Sequence, residues 1–239
     1  EEMPRITQRI CGVCPSAHHM AGTRALDALY HVEPPPAAHK VRELFYNLFM
    51  FEDHTLHFYF LGGPDFIVGP TAPPGERNIV GVLGKVGLEI GGKVIAARKQ
   101  ARHFMQQMAG KVIHPVFGLP GGVSKPLKQD MVDELKRAAP GFVDFAAFSL
   151  QAFADIVLKN QAYVDTILAD HYAHRTNYMG TVDANGKVNF YRGQLRVVDP
   201  TGKRIAQFEP HEYLTYIEEH VEPWSYIKFP FLKKPGWKG

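Results

Sequence analysis

From Ala37 to Leu61 the chain contains neither glycine nor proline, and its apolar residues recur at helical spacing on nearly every face of the helix they would form. A helix apolar almost all round has to be covered on all sides, so this segment predicts a core around which other elements wrap. It is entered through the Pro34-Pro35-Pro36 cluster and expected to stop at Gly62-Gly63-Pro64. Its neighbours also read as helices. Pro15 to Tyr30 has Gly22 as its only breaker, Asn78 to Met108 carries Gly87, Gly91 and Gly92 where close packing would want them, and Leu127 to His171 has an expected break at Pro140-Gly141.

One region alone reads as strand: 188–191, 194–198 and 204–208, separated by turn signals at Asn185-Gly186, Arg192-Gly193 and Asp199-Pro200-Thr201-Gly202. The expected fold class is therefore mainly α, with buried long helices and a small three-stranded antiparallel β meander at about 187–208. Residues 1–239 are expected to lie within a single large domain. At 239 residues and 45% hydrophobic content the chain can bury a substantial core. The tail from Trp224 mixes aromatics with Pro and Lys, and the absence of an initiator Met points to a fragment.

The charge balance excludes more than it identifies. With 27 Lys+Arg against 24 Asp+Glu and a net charge of +3, basic residues are too few and too scattered for a nucleic-acid partner. No run approaches roughly 18 uninterrupted apolar residues, the densest stretch being Phe45 to Phe51, so no membrane span is expected.

The chemistry concentrates in Arg9-Ile10-Cys11-Gly12-Val13-Cys14-Pro15-Ser16-Ala17-His18-His19. Its two cysteines are the only ones in the chain, too few for a disulfide scaffold at this size. A two-residue spacer lets both thiolates face one metal, Gly12 eases the tight turn, and His18 falls one helical turn beyond Cys14. Thiolates select soft or borderline metals such as zinc, iron and nickel. Spacing alone leaves open a structural zinc site, a thioredoxin-like redox pair, or another metal. Zinc would want two further ligands, yet His18 and His19 would point about a hundred degrees apart on a helix. A redox pair would follow a strand-helix-strand pattern, and none precedes this one.

The run Arg-x-Cys-Gly-x-Cys-x-x-x-His resembles the N-terminal cysteine motif of nickel-iron hydrogenase large subunits. It is followed, in the family's order, by Asp53-His54-Thr55-Leu56-His57-Phe58-Tyr59, by Gly110-Lys111-Val112-Ile113-His114-Pro115, and by Pro120-Gly121-Gly122. The resemblance implies a nickel-iron centre in which Cys14 bridges the two metals and Cys11 binds nickel terminally, with cyanide and carbon monoxide on the iron. It implies that His18 hydrogen-bonds the bridging sulfur and that Asp53 is the carboxylate of the canopy over the metals. Arg9 either pairs with a carboxylate near the metals or supports the turn, and His114 would lie toward the electron-transfer subunit. Neither His19 nor Glu1 nor Glu2 is given a role. Such a centre uses four thiolates, and no cysteine follows Cys14, so the chain reads as the central fragment of a longer subunit lacking the second cysteine pair.

The implied reaction is reversible heterolytic cleavage of dihydrogen. Two cysteines cannot hold a cubane cluster, so iron-sulfur clusters belong to partners: an iron-sulfur small subunit, together with heterodisulfide reductase and a further electron-transfer subunit. Tyr178, Gly180, Asp199-Pro200 and Val221-Glu222-Pro223-Trp224-Ser225-Tyr226 resemble the cytoplasmic, viologen-reducing subgroup found in methanogens. A non-catalytic hydrogenase-fold subunit of a redox complex and a zinc-stabilised interaction domain stand as alternatives. Asp53 has its own, which is that four-residue spacing on one helix face makes it a private core pair with His57.

Overall fold

A computed structural model describes residues 2–237; Glu1 and the terminal Lys238-Gly239 lie outside the described residues. The chain divides into two compact units, Glu1–Leu168 and Ala169–Gly239.

The first unit is helical. A short α1 (Met3–Thr7) and a single 3-10 turn lead into the cysteine turn, and α2 (Pro15–Leu29) starts directly on Cys14 with Pro15 in its first turn. There a missing N–H costs nothing and a fixed φ favours the helix. The apolar core helix is α3 (Pro36–Leu56), in which only Pro36, Ala37, Lys40, Asn47 and His54 are exposed, as its sequence requires. Contrary to expectation, Gly62-Gly63-Pro64 does not stop it. The chain keeps winding through wider, π-type turns at His57–Gly62 and Pro64–Val68, because Gly63 takes helical angles (φ −52°, ψ −44°) and Pro64 opens the next turn.

Asn78 caps α4 (Ile79–Ala109) by accepting from the backbone N–H of Val80 and Gly81. Gly87, at φ +82°, kinks α4 where an unbroken helix was expected. The two-residue strands β1 (Gly118–Leu119) and β2 (Gly122–Val123) form a hairpin. The helix α5 (Gln129–Phe153) passes straight through the expected break at Pro140. Pro140 and Lys136 are both exposed, so the carbonyl that loses its N–H partner is left to solvent. The actual interruptions come later, at the wide turn Ala154–Leu158 that precedes α6 (Gln161–Leu168). Phe45, Phe104, Phe117, Met105 and Met108 are all but inaccessible, and the Phe45 and Phe117 rings lie 4.7 Å apart.

By length and composition, the run Gln129–Leu158 is apolar enough to cross a membrane, and 17% of its most apolar window is buried. Counting unbroken apolar runs missed it, since Pro140, Gly141, Asp144, Ser149 and Gln151 punctuate the run.

The second unit holds two antiparallel sheets. Its three-stranded meander is β3 (Tyr178–Val182), β4 (Gln194–Val198) and β5 (Arg204–Phe208) in that order. The last two strands match expectation, whereas the first is 178–182 and not 188–191. Asn189 causes the difference: its side-chain oxygen accepts from the N–H groups of Tyr191 and Arg192 and bends that stretch into a turn. After a short α7 (Tyr213–Tyr216), β6 (Ile217–Val221) pairs with β7 (Lys228–Leu232), a hairpin the sequence disguised by placing Pro230 inside a strand.

Candidate metal centre

Chain direction changes sharply at the cysteines, and this makes the site. Cys11 is extended (φ −138°, ψ 130°), and Cys14 serves as the residue before the first turn of α2. The backbone N–H of Cys14 donates to Cys11 Sγ at 3.1 Å, folding the two thiols onto one side of the Gly12-Val13 turn. His18, one turn into α2, brings a ring nitrogen to the same place. The ligand atoms of Cys11, Cys14 and His18 all lie within 4.8 Å of one another, and neither cysteine is in a disulfide.

The two thiols differ in acidity. Hydrogen bonding from Cys14 lowers Cys11 below the usual thiol value, whereas burial, with the bond to Cys11 and its charge, pushes Cys14 up to about 11. Two sulfurs and an imidazole at one concave turn form a soft donor set suited to nickel, iron or zinc. A closed structural zinc site needs a fourth protein ligand. None joins the three among the described residues, and His19 is turned away.

His19 instead ties the turn down. Its Nε2 accepts from the N–H of Phe117 (3.2 Å) and Gly118 (2.8 Å), which leaves Nδ1–H to donate to Pro4 O at 3.1 Å. Burial, followed by the Arg42 charge, lowers its basicity, so the ring is neutral as this pattern demands. Below it Arg42, completely buried, pairs with Asp27 and donates to the carbonyls of Leu119 and Gly122, while Asp27 accepts from Gly121 N–H. The Pro120-Gly121-Gly122 motif thus packs against the helix that begins at the cysteines.

Asp53 is half-buried on α3, and its charge reaches far enough to raise both thiols and Tyr46. Its own carboxyl is raised, chiefly by burial. No hydrogen bond or ion pair joins it to His57, which is exposed, so the private core pair does not form. Its neighbour Glu52 is the carboxylate buried as a partner in the core: Oε1 accepts from Arg98 Nε and Nη2 and from Arg102 Nε. Sequence reasoning missed Glu52, although the argument that picked Asp53, a charge on an apolar helix, applies equally to it. Tyr46 was missed too; it stands seven residues before Asp53 on the same helix face.

Arg9 is exposed, and its Nη1 donates to the Arg5 carbonyl in α1 at 3.2 Å. His114 adopts a left-handed backbone (φ +57°) beside the buried Pro115.

Residues 1–72, which contain the cysteine turn and Asp53, match the family model described as nickel-dependent hydrogenase. Over its whole length the chain is 46% identical to an iron-sulfur subunit of the F420-non-reducing hydrogenase of Archaeoglobus profundus, of which it covers 49%. Over 99% of its length it is 42% identical to a vhu subunit of the F420-non-reducing hydrogenase of Methanocaldococcus jannaschii, covering 55% of that protein. Among solved structures, the NAD+-reducing [NiFe]-hydrogenase in its H2-reduced state superposes with a TM-score of 0.90 at 31% identity, over 98% of this chain and 51% of that one. The Ni-Fe-Se hydrogenase of D. vulgaris Hildenborough shares the fold at a TM-score of 0.68 and 22% identity, over 92% of this chain and 46% of its own. The mainly helical architecture with small antiparallel sheets is thus the fold of these hydrogenase subunits, and the chain spans about half the length of the curated relatives it matches.

Proposed function

We propose, from that likeness to nickel-dependent hydrogenases, that the chain is part of the large, nickel-carrying subunit of a nickel-iron hydrogenase that cleaves dihydrogen reversibly and heterolytically. The observation that carries this reading is the convergence of Cys11, Cys14 and His18 within 4.8 Å, inside the segment that matches the family model. Cys11 would hold nickel, and Cys14 would bridge it to an iron bearing cyanide and carbon monoxide. The bound pair supplies soft, electron-rich metals able to polarise and split dihydrogen. The two further thiolates that such a centre uses, and the arginine that the family sets over it, would come from parts of the parent protein outside these residues.

The chain's own residues have separate tasks. Cys11 and Cys14 would be the thiolate ligands, their sulfurs held on one side of the Gly12-Val13 turn by the Cys14 N–H bond to Cys11 Sγ. His18 would donate to the bridging sulfur and so moderate its electron density. Asp53 would orient the arginine with its negative charge. Arg9 would steady the cysteine turn from outside.

Electrons would leave through iron-sulfur clusters in a small subunit, a reading supported by relatives that are named as subunits of hydrogenases. The subgroup proposed is the cytoplasmic, viologen-reducing one linked to heterodisulfide reductase; relatives named F420-non-reducing speak against F420 as the acceptor. The test is metal analysis of the full-length protein with hydrogen uptake assayed against viologen. Nickel and iron together with uptake are expected; zinc alone at the cysteines would replace this reading with a zinc-stabilised interaction domain.

A further inference from the structure

Ser16, the second residue of α2, is completely buried, and its hydroxyl has no hydrogen-bond partner among the described residues. Buried hydroxyls are normally paired, with protein or with an ordered water. Ser16 borders a cavity of about 20 Å³ beneath the cysteine turn, whose other walls include Gly12, Val13, Phe49, Glu52 and Arg102. One water needs about 10–15 Å³ measured in this way, so the space has room for one.

We propose that this cavity is a binding site for a single water molecule, held between the Ser16 hydroxyl and the Glu52 carboxylate. Glu52 is suited to the part. All three guanidinium N–H bonds go to its Oε1, which leaves Oε2 to accept from the water. Two guanidinium groups so close make the cavity hostile to a cation, and its polar wall gives a water the two or more partners it requires. The water would link the first turn of α2, through Glu52, to Arg102, whose side chain is 39% exposed, by hydrogen bonds alone. The site rests on burial, volume and the orphaned hydroxyl, and is independent of which metal the cysteines hold.

The test is a crystal structure of the full-length protein in its complex, with and without Ser16→Ala. A single density peak at about 2.6–3.2 Å from both Ser16 Oγ and a Glu52 oxygen is expected, and its loss in the variant. An empty cavity in the wild type, or a peak equally strong in Ser16→Ala, would overturn the site. Thermal unfolding gives a second readout that needs no crystals of the variant. If the hydroxyl is satisfied by water, Ser16→Ala melts at or below the wild-type temperature; a higher Tm would show that the hydroxyl is an unpaired burden and that no water sits there.

Discussion

Cys11 and Cys14 are chemically unequal before any metal arrives, and their variants should differ accordingly. In the full-length protein, Cys14→Ser should lose nickel and iron together, because the bridging position serves both metals. Cys11→Ser should chiefly lose nickel, since oxygen is a harder and weaker ligand for it. Metal content of the purified variants decides this, and unchanged nickel with unchanged hydrogen uptake in both would withdraw the ligand assignment. Asp53 carries a charge that burial disfavours, and among the described residues no ion pair compensates it. Asp53→Asn keeps the volume and removes the charge. It should retain nickel and iron but lose at least about tenfold in turnover, the equivalent of about 1.4 kcal/mol of transition-state stabilisation. Full activity per nickel would reduce Asp53 to a half-buried core carboxylate. Glu52 has the opposite character, since its charge is matched in place by Arg98 and Arg102. Glu52→Ala should cost about 3 kcal/mol, the low end for breaking a buried pair because Arg102 is partly open to water; denaturant midpoints would show it.

His19 works at the scale of elements, joining the N-terminal segment, α2 and the 117–118 backbone through one neutral ring. Its folded pKa lies below the ordinary value of 6.5, so the unfolded chain binds the proton more readily. Stability contributed by His19 is therefore complete above about pH 6.5 and falls as the pH drops below it. Melting temperatures measured between about pH 5 and 7 should decline toward acid, and His19→Gln, which has no such proton to gain, should flatten that part of the slope. A slope that persists unchanged in the variant would place the acid sensitivity elsewhere. The helices were legible because their periodicity is strong, and α3 was legible as the core because so few of its residues could face water. Punctuation was less readable. Pro140 and Gly62-Gly63-Pro64 were given the meaning that such residues have in isolation, while exposure of one and a wider winding at the other let the helix continue. Asn189 turned an apparent strand into a loop through two side-chain bonds, and Pro230 hid a real one. At the candidate metal centre, the grouping of the two cysteines with His18 was legible from spacing. Glu52 with Arg98 and Arg102, and Asp27 with Arg42, were not, because their partners lie 15 to 50 positions away in the chain.

For the molecule as a whole, the exposed apolar surface of α5 and the turn after it is the dominant physical fact. Val143, Leu150 and Leu158 are 69%, 72% and 55% exposed along a run that is apolar enough to span a membrane. A patch of this kind in water drives association. Residues 1–239 produced alone should self-associate, and Val143→Lys with Leu150→Lys should shift them toward monomer in size-exclusion chromatography with light scattering. A monodisperse monomer of the unaltered 239 residues would show that the patch is harmless on its own. The same preparation should hold less than one nickel per chain, since two thiolates are an incomplete set for the four-thiolate centre proposed here; stoichiometric, tightly held nickel would count against the need for further thiolates.

The wide turns from His57 to Val68 also affect how this protein compares with its kin. Each closes on a residue one place further along than an ordinary helical turn does, so each slips the angular phase of everything after it by about 100° relative to everything before. Asp53 lies upstream of both wide turns and Gly69 downstream. A homologue that shed one residue between them could keep its carboxylate at the metal turn by unwinding a wide turn into a tight one. Alignment gaps among similar sequences should therefore collect between residues 57 and 68, where the helix can absorb an insertion or deletion as a change of pitch.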